Sequence, residues 1–141
     1  MSRLLVALQF GLMALVAVRI ESGGIGIAYV VLLVSGTAVG AWALAANRPG
    51  NFHIRPDPRP GGRLVERGPY RWIRHPMYTA VIACGIACAI VIGTTWGWLG
   101  VAALVLVLAV KAAVEERWML VAHPGYQAYR ARTKRFVPGV I

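Results

Sequence analysis

From Pro76 to Val110 the chain carries no charged side chain, and none occurs from Ser22 to Asn47 either. A helix that crosses a bilayer needs roughly 20 apolar residues, and these stretches supply them. They constrain the chain to an all-α, polytopic membrane architecture. Composition agrees: 58% of the 141 residues are hydrophobic and only 14% are charged, low for a soluble domain of this size. Four apolar runs read as transmembrane helices, at about 4–20, 25–46, 76–93 and 97–114. A loop over 47–75 and a C-terminal helical cap over 115–141 complete a single membrane domain, 1–141.

The formal net charge of +10 is unevenly placed. Arg48, Arg55, Arg59, Arg63, Arg67, Arg71 and Arg74 lie between the second and third runs. Lys111, Arg117, Arg130, Arg132, Lys134 and Arg135 lie at or beyond the end of the fourth. Arg19 falls between runs one and two, and no cation separates runs three and four. By the positive-inside rule the 47–75 loop and the cap are cytoplasmic, and Arg3 places the N-terminus there too, giving an N-in/C-in protein. Arginines beside anionic lipid headgroups account for the basic excess, so membrane lipid is the expected partner and nucleic acid is not.

Local signals divide the chain further. Ser22-Gly23-Gly24 reads as a turn. Gly36 and Gly40 form a GxxxG pair, suited to close helix packing within the chain or to a homodimer. Pro49, Pro56, Pro58 and Pro60 exclude a helix from the first part of the loop. Pro76 suits the first turn of a helix. Gly93-Thr94-Thr95 turns the chain, and Trp96 and Trp98 mark an outer aromatic belt. The fourth helix is expected to run on through Glu115, Glu116 and Trp118 to about Ala122, where His123-Pro124-Gly125 stops it. Tyr126, Tyr129 and Thr133 then recur at helical spacing along a basic segment ending near Arg135. Cys84 and Cys88 share one helix face and read as small packing residues, not a metal or redox pair.

Chemistry concentrates in Gly68-Pro69-Tyr70-Arg71-Trp72-Ile73-Arg74-His75-Pro76-Met77-Tyr78 and in Glu115-Glu116, the last two acids of the chain. Adjacent helical residues point about 100° apart, so the two glutamates are not expected to face one ligand together. One is expected to face the bundle, with cations of the 67–75 segment as partners, and the other to pair with Lys111. His75 is either a general base, given its near-neutral titration, or a local cap. His53 and His123 lack the neighbours a metal site needs, and no metal is expected. Phosphate-loop, dinucleotide and nucleophile-elbow motifs do not occur.

Together, Gly68-Pro69-Tyr70-Arg71, Arg74-His75-Pro76 with Tyr78, Glu115-Glu116 with Leu120, and then Tyr126, Tyr129, Arg135 and Pro138 resemble a known pattern. It is that of the isoprenylcysteine carboxyl methyltransferase family and its phospholipid N-methyltransferase relatives. The likeness covers roughly residues 62–138. It implies a membrane methyltransferase that uses S-adenosylmethionine (AdoMet), releases S-adenosylhomocysteine, and works at the cytoplasmic face on a lipophilic or small acceptor. It also implies that Tyr70, Arg74, His75, Pro76 and Tyr78 line one side of the cofactor, with Glu115 and Glu116 opposite. His75 and Glu116 are the implied catalytic pair, with Arg71 and Arg132 for substrate or carboxylate contacts. The chain departs from the pattern at His123-Pro124-Gly125, where Phe-Gly is usual. Three alternatives remain open: an NADPH-dependent sterol-type reductase, which also carries Arg-His-Pro-x-Tyr, a small transporter, and a non-catalytic membrane subunit.

Overall fold

The computed structural model describes residues 7, 8, 11, 26–47 and 64–140. Most of the expected first span and the proline-rich stretch of the loop lie outside the described residues. The rest is helical: α1 (Ile27–Ala46), a 3-10 turn (Gly68–Arg71), α2 (Pro76–Ile92), α3 (Thr95–Ala122) and α4 (Tyr126–Arg132). Among the described residues extended pairing is limited to one isolated parallel bridge, Ile73 with Lys134.

Two of the helices, α1 and α3, are long and apolar enough to cross a membrane, while α2 is a shorter apolar helix of 17 residues. Burial shows which solvent suits them. Of its 20 residues α1 buries only Gly36, Ala43 and Ala46, and it leaves Val30, Val31, Val34, Trp42 and Leu44 exposed. An apolar helix with its apolar side chains outward gains nothing from water and is matched to lipid. The same holds along α3, where Leu99, Leu106 and Val110 face out.

Small residues set the packing. A Cβ at Gly36 would meet Cys84 Sγ at 3.0 Å, Ala80 O at 3.1 Å and Ala83 Cβ at 3.1 Å, and one at Gly40 would meet Ala80 Cβ at 3.3 Å. The GxxxG pair therefore seats α1 against α2, and Cys84 lies in that seam. On the other side of α2, Gly85 admits Leu104 of α3, whose Cδ2 lies 3.2 Å from where a Cβ would sit. Leu104, Leu108 and Ala112 of α3 form one buried cluster with Tyr78 of α2 and Phe136 from beyond α4.

Gly93, in the left-handed region at φ 62°, closes α2, and its N–H reaches Ala89 O at 3.0 Å. Thr94 then turns the chain into α3, whose 28 residues rise about 42 Å. A hydrocarbon core is about 30 Å thick, so the helix is longer than one crossing requires. The helix stops at His123, as the His-Pro-Gly break predicts. The basic segment after it is helical only to Arg132. Thr133 is extended (φ −119°, ψ 155°), and this lets Lys134 pair with Ile73 where the spacing alone predicts a continuing helix.

Gly36→Val is expected to overpack the α1–α2 seam and cost about 1–3 kcal/mol, with Gly40→Ala milder because it meets one atom. Thermal unfolding in detergent measures both. Equal melting temperatures for the parent and Gly36→Val would show that the seam is not formed this way.

Candidate functional site

The 64–75 segment is fastened at both ends. Arg67 Nε donates to Ala46 O at 2.9 Å, one of the carbonyls that the end of α1 leaves without a helical partner. Gly68 adopts φ 60°, and a Cβ there would meet Ala46 Cβ at 2.7 Å, so both backbone conformation and space require glycine. Trp72 packs on Trp42 of α1 with ring centroids 5.7 Å apart. At the other end three backbone bonds tie the segment to the C-terminal tail. Lys134 N donates to Trp72 O at 3.0 Å, Arg74 N to Lys134 O at 2.8 Å and His75 N to Arg135 O at 3.1 Å. Pro76, fully buried, then starts α2.

This arrangement gathers cations around one carboxylate. Glu116, 2% exposed, accepts Arg74 Nε and Arg135 Nε on Oε1, each at 3.0 Å, and Arg135 Nη2 on Oε2 at 3.1 Å. Arg130 Nε stands 3.5 Å from Oε2. Arg74 also donates through Nη1 to Arg130 O at 3.1 Å and to Thr133 O. One buried acid thus joins α3 to the 64–75 segment, to α4 through Arg130 and to the chain beyond it through Arg135. The hydrogen bonds to Glu116 hold the Arg135 pKa above its usual value, against the opposing effect of burial.

Glu115 faces a different set. Its Oε1 accepts the Tyr78 hydroxyl at 2.5 Å, and its Oε2 lies 3.4 Å from His75 Nδ1. The other ring nitrogen, His75 Nε2, is 3.3 Å from Glu116 Oε1. Both glutamates therefore meet one group, although their side chains diverge along the helix. A planar ring with a nitrogen on each edge fits between the two directions. Tyr78 stacks on the imidazole (centroids 5.2 Å, planes 5° apart), and buried Lys111 places Nζ 5.2 Å from the centre of the same tyrosine ring. Glu115 also attracts Lys111, so the expected pairing takes the form of a charge interaction across Tyr78.

The tyrosines around the cluster are kept neutral. Burial, and then the Glu115 charge, push the Tyr70 pKa up to about 12. Burial likewise raises Tyr126 and Tyr129. The Tyr129 hydroxyl donates to Tyr70 O at 2.8 Å, pinning α4 to the 3-10 turn.

Of the residues singled out from the sequence, Arg74, His75, Tyr78, Glu115 and Glu116 come together, with Tyr70 and Pro76 beside them. Arg71 and Arg132 have other contacts. Arg71 is exposed and lies over the Trp72 ring at 5.8 Å. Arg132 pairs with Glu66 and lies over Tyr129 at 5.8 Å. The guanidiniums that reach Glu116 from the tail are Arg130 and Arg135. Arg135 stands in the family pattern, whereas Arg130 carries no signal beyond its place in a basic run. Among the described residues no three His, Cys, Asp or Glu side chains are arranged to hold a metal ion.

Residues 26–123 match the model of a family described as phospholipid methyltransferase. The chain belongs to the phospholipid methyltransferase family. The match takes in α1, α2 and α3 with Arg74, His75, Tyr78, Glu115 and Glu116, and it ends before α4. It thus starts well ahead of the 62–138 stretch that carries the motif likeness, and it includes α1. No curated protein and no solved structure matches the chain. Membership in this membrane-associated phospholipid methyltransferase family implies an enzyme that methylates a membrane-related substrate.

Glu116→Gln is expected to loosen the tail. Removing one partner of a buried ion pair costs about 3–5 kcal/mol, and partial exposure of Arg130 and Arg135 favours the low end. Hydrogen exchange should accelerate over 126–140 while α2 stays protected; unchanged exchange there would mean that Glu116 does not hold the tail.

Proposed function

We propose that the protein is an AdoMet-dependent methyltransferase acting on a lipophilic or small acceptor at the cytoplasmic membrane face, with four spans and both termini inside. Family membership supports the reaction class. The observation that supports this site is the meeting of two carboxylates, an imidazole and three guanidiniums at the end of an apolar helix.

The residues present fit AdoMet chemically. Its carboxylate calls for a guanidinium, and Arg130, half exposed and at 3.5 Å the loosest partner of Glu116, is free to turn to it. Its ammonium calls for a carboxylate with open valence. Glu115 is the better of the two, since Glu116 already accepts from two arginines and faces Arg130 and His75. Tyr70, uncharged and half-buried, offers a ring face for adenine.

AdoMet supplies a methyl group already activated on a sulfonium. The chain therefore needs to bind, align and exclude water more than it needs to perform covalent chemistry. Buried Tyr78, with His75 stacked on it, forms the dry wall toward the membrane helices. The tail, held by Glu116 and by Tyr129, covers the site from the water side. Apolar side chains of α1 and α3 face the bilayer, from which a lipophilic acceptor can approach. The arginines of the 47–75 loop and the cap support the cytoplasmic orientation.

Calorimetric titration of the detergent-purified protein with S-adenosylhomocysteine, and with NADPH in parallel, tests the reading. Saturable S-adenosylhomocysteine binding is expected, weakened on the order of tenfold by Glu115→Gln, as befits loss of a charge-assisted bond. Binding of NADPH alone would reassign the protein to the reductases.

A further inference from the structure

His75 has a carboxylate on each edge of its ring. Nδ1 stands 3.4 Å from Glu115 Oε2 and Nε2 stands 3.3 Å from Glu116 Oε1. A carboxylate oxygen only accepts hydrogen bonds, while a neutral imidazole has one N–H and one lone pair. In either neutral tautomer a ring lone pair would therefore point at a carboxylate oxygen, which is repulsive. Only the imidazolium offers a donor to both. The contacts are long for hydrogen bonds, so charge carries much of the attraction.

We propose that His75 is held as a cation and acts as a positioning residue, the clamp that keeps Glu115 and Glu116 in register, and that it is not the base of the transfer. A general base must present a lone pair to the proton it takes. Both nitrogens of His75 are engaged, and Tyr78 and Phe136 pack against the ring, at 5.2 and 6.0 Å between centroids. The functional half of this inference rests on the methyltransferase reading of the site; the charge state does not.

The surrounding charges agree. Glu115 and Glu116 face the ring from α3. Tyr78 faces it from α2 with its hydroxyl turned to Glu115, and Lys111 lies beyond the tyrosine. Arg74, Arg130 and Arg135 contact Glu116, not the imidazole. Burial alone lowers the His75 pKa, but the hydrogen bonds and charges of the two glutamates outweigh it and hold the pKa above 6.5. Since the folded pKa is raised, the clamp stabilises fully below about pH 6.5 and its contribution fades as pH climbs through the folded value. An amine acceptor would have to lose its proton to another group or to water.

The test is nitrogen-15 NMR of the full chain in detergent with labelled histidine. The three histidines are assigned through His53→Gln and His123→Gln, which leave the clamp intact. At about pH 7.5 both His75 nitrogens should carry protons, and Glu115→Gln should move the titration of the ring to lower pH. A singly protonated ring at that pH would overturn the proposal. In kinetics, His75→Gln should raise KM for AdoMet on the order of tenfold and leave no lost limb in the kcat profile near pH 6.5. A fall in kcat alone, with that limb abolished, would make His75 the base. Failure of the methyltransferase reading shows separately, as absent S-adenosylhomocysteine binding with the NMR result unchanged.

Discussion

Everything at the end of α3 depends on a single buried carboxylate. Glu116 sits near the end of a long apolar helix, and burial of such a group is tolerable only when it is surrounded by donors. Arg74 comes from the segment before α2, Arg130 from α4 and Arg135 from the chain just beyond it. Because these partners lie far apart in sequence, meeting the electrostatic need of Glu116 also folds the chain around it. The Ile73–Lys134 bridge adds backbone bonds to the same junction. Hydrophobic packing of α1, α2 and α3 could proceed without any of this, but the site could not.

Much of the helical frame was legible. Uncharged runs mark α1, α2 and α3, and the His123-Pro124-Gly125 break marks the end of α3 where the structure has it. Tyr126, Tyr129 and Thr133 recur at helical spacing, and the structure buries all three, although Thr133 lies just beyond the helix. What periodicity did not reveal is the extended turn at Thr133. It arises from a tertiary pairing across some sixty residues, and local spacing carries no information about that. The same limit applies to Arg130 and Arg135. In a tail with four cations from residue 130 onward, composition does not say which of them turn inward. The expectation that adjacent glutamates must serve different ligands treated a partner as a point, whereas an imidazole has two edges.

The glycines carry a second lesson. Gly36 and Gly40 fit a homodimer motif as well as an internal seam, and the contacts of Gly36 with Cys84, Ala80 and Ala83 show how the chain uses them. Gly68 opens the Gly68-Pro69-Tyr70-Arg71 motif, and its packing role shows only in the fold. Its left-handed backbone and its approach to Ala46 fasten the segment that carries Arg74 and His75 onto the end of α1. The site's precision thus comes in part from a helix that contributes no polar side chain to it.

The tail leads to one further consequence. Its hold on the rest of the molecule is mainly ionic and hydrogen-bonded, with Phe136 and the two tyrosines as its apolar anchors, whereas the membrane helices are joined by close apolar contact. These two kinds of attachment respond differently to salt and temperature. The chain therefore has two stabilities: one for the helical frame, and a smaller one for the segment that closes over Glu115 and His75. Local opening of that segment exposes the cluster to water without disturbing the frame. How often the site is open is then set by the arginines on Glu116, independently of how firmly the protein sits in its membrane.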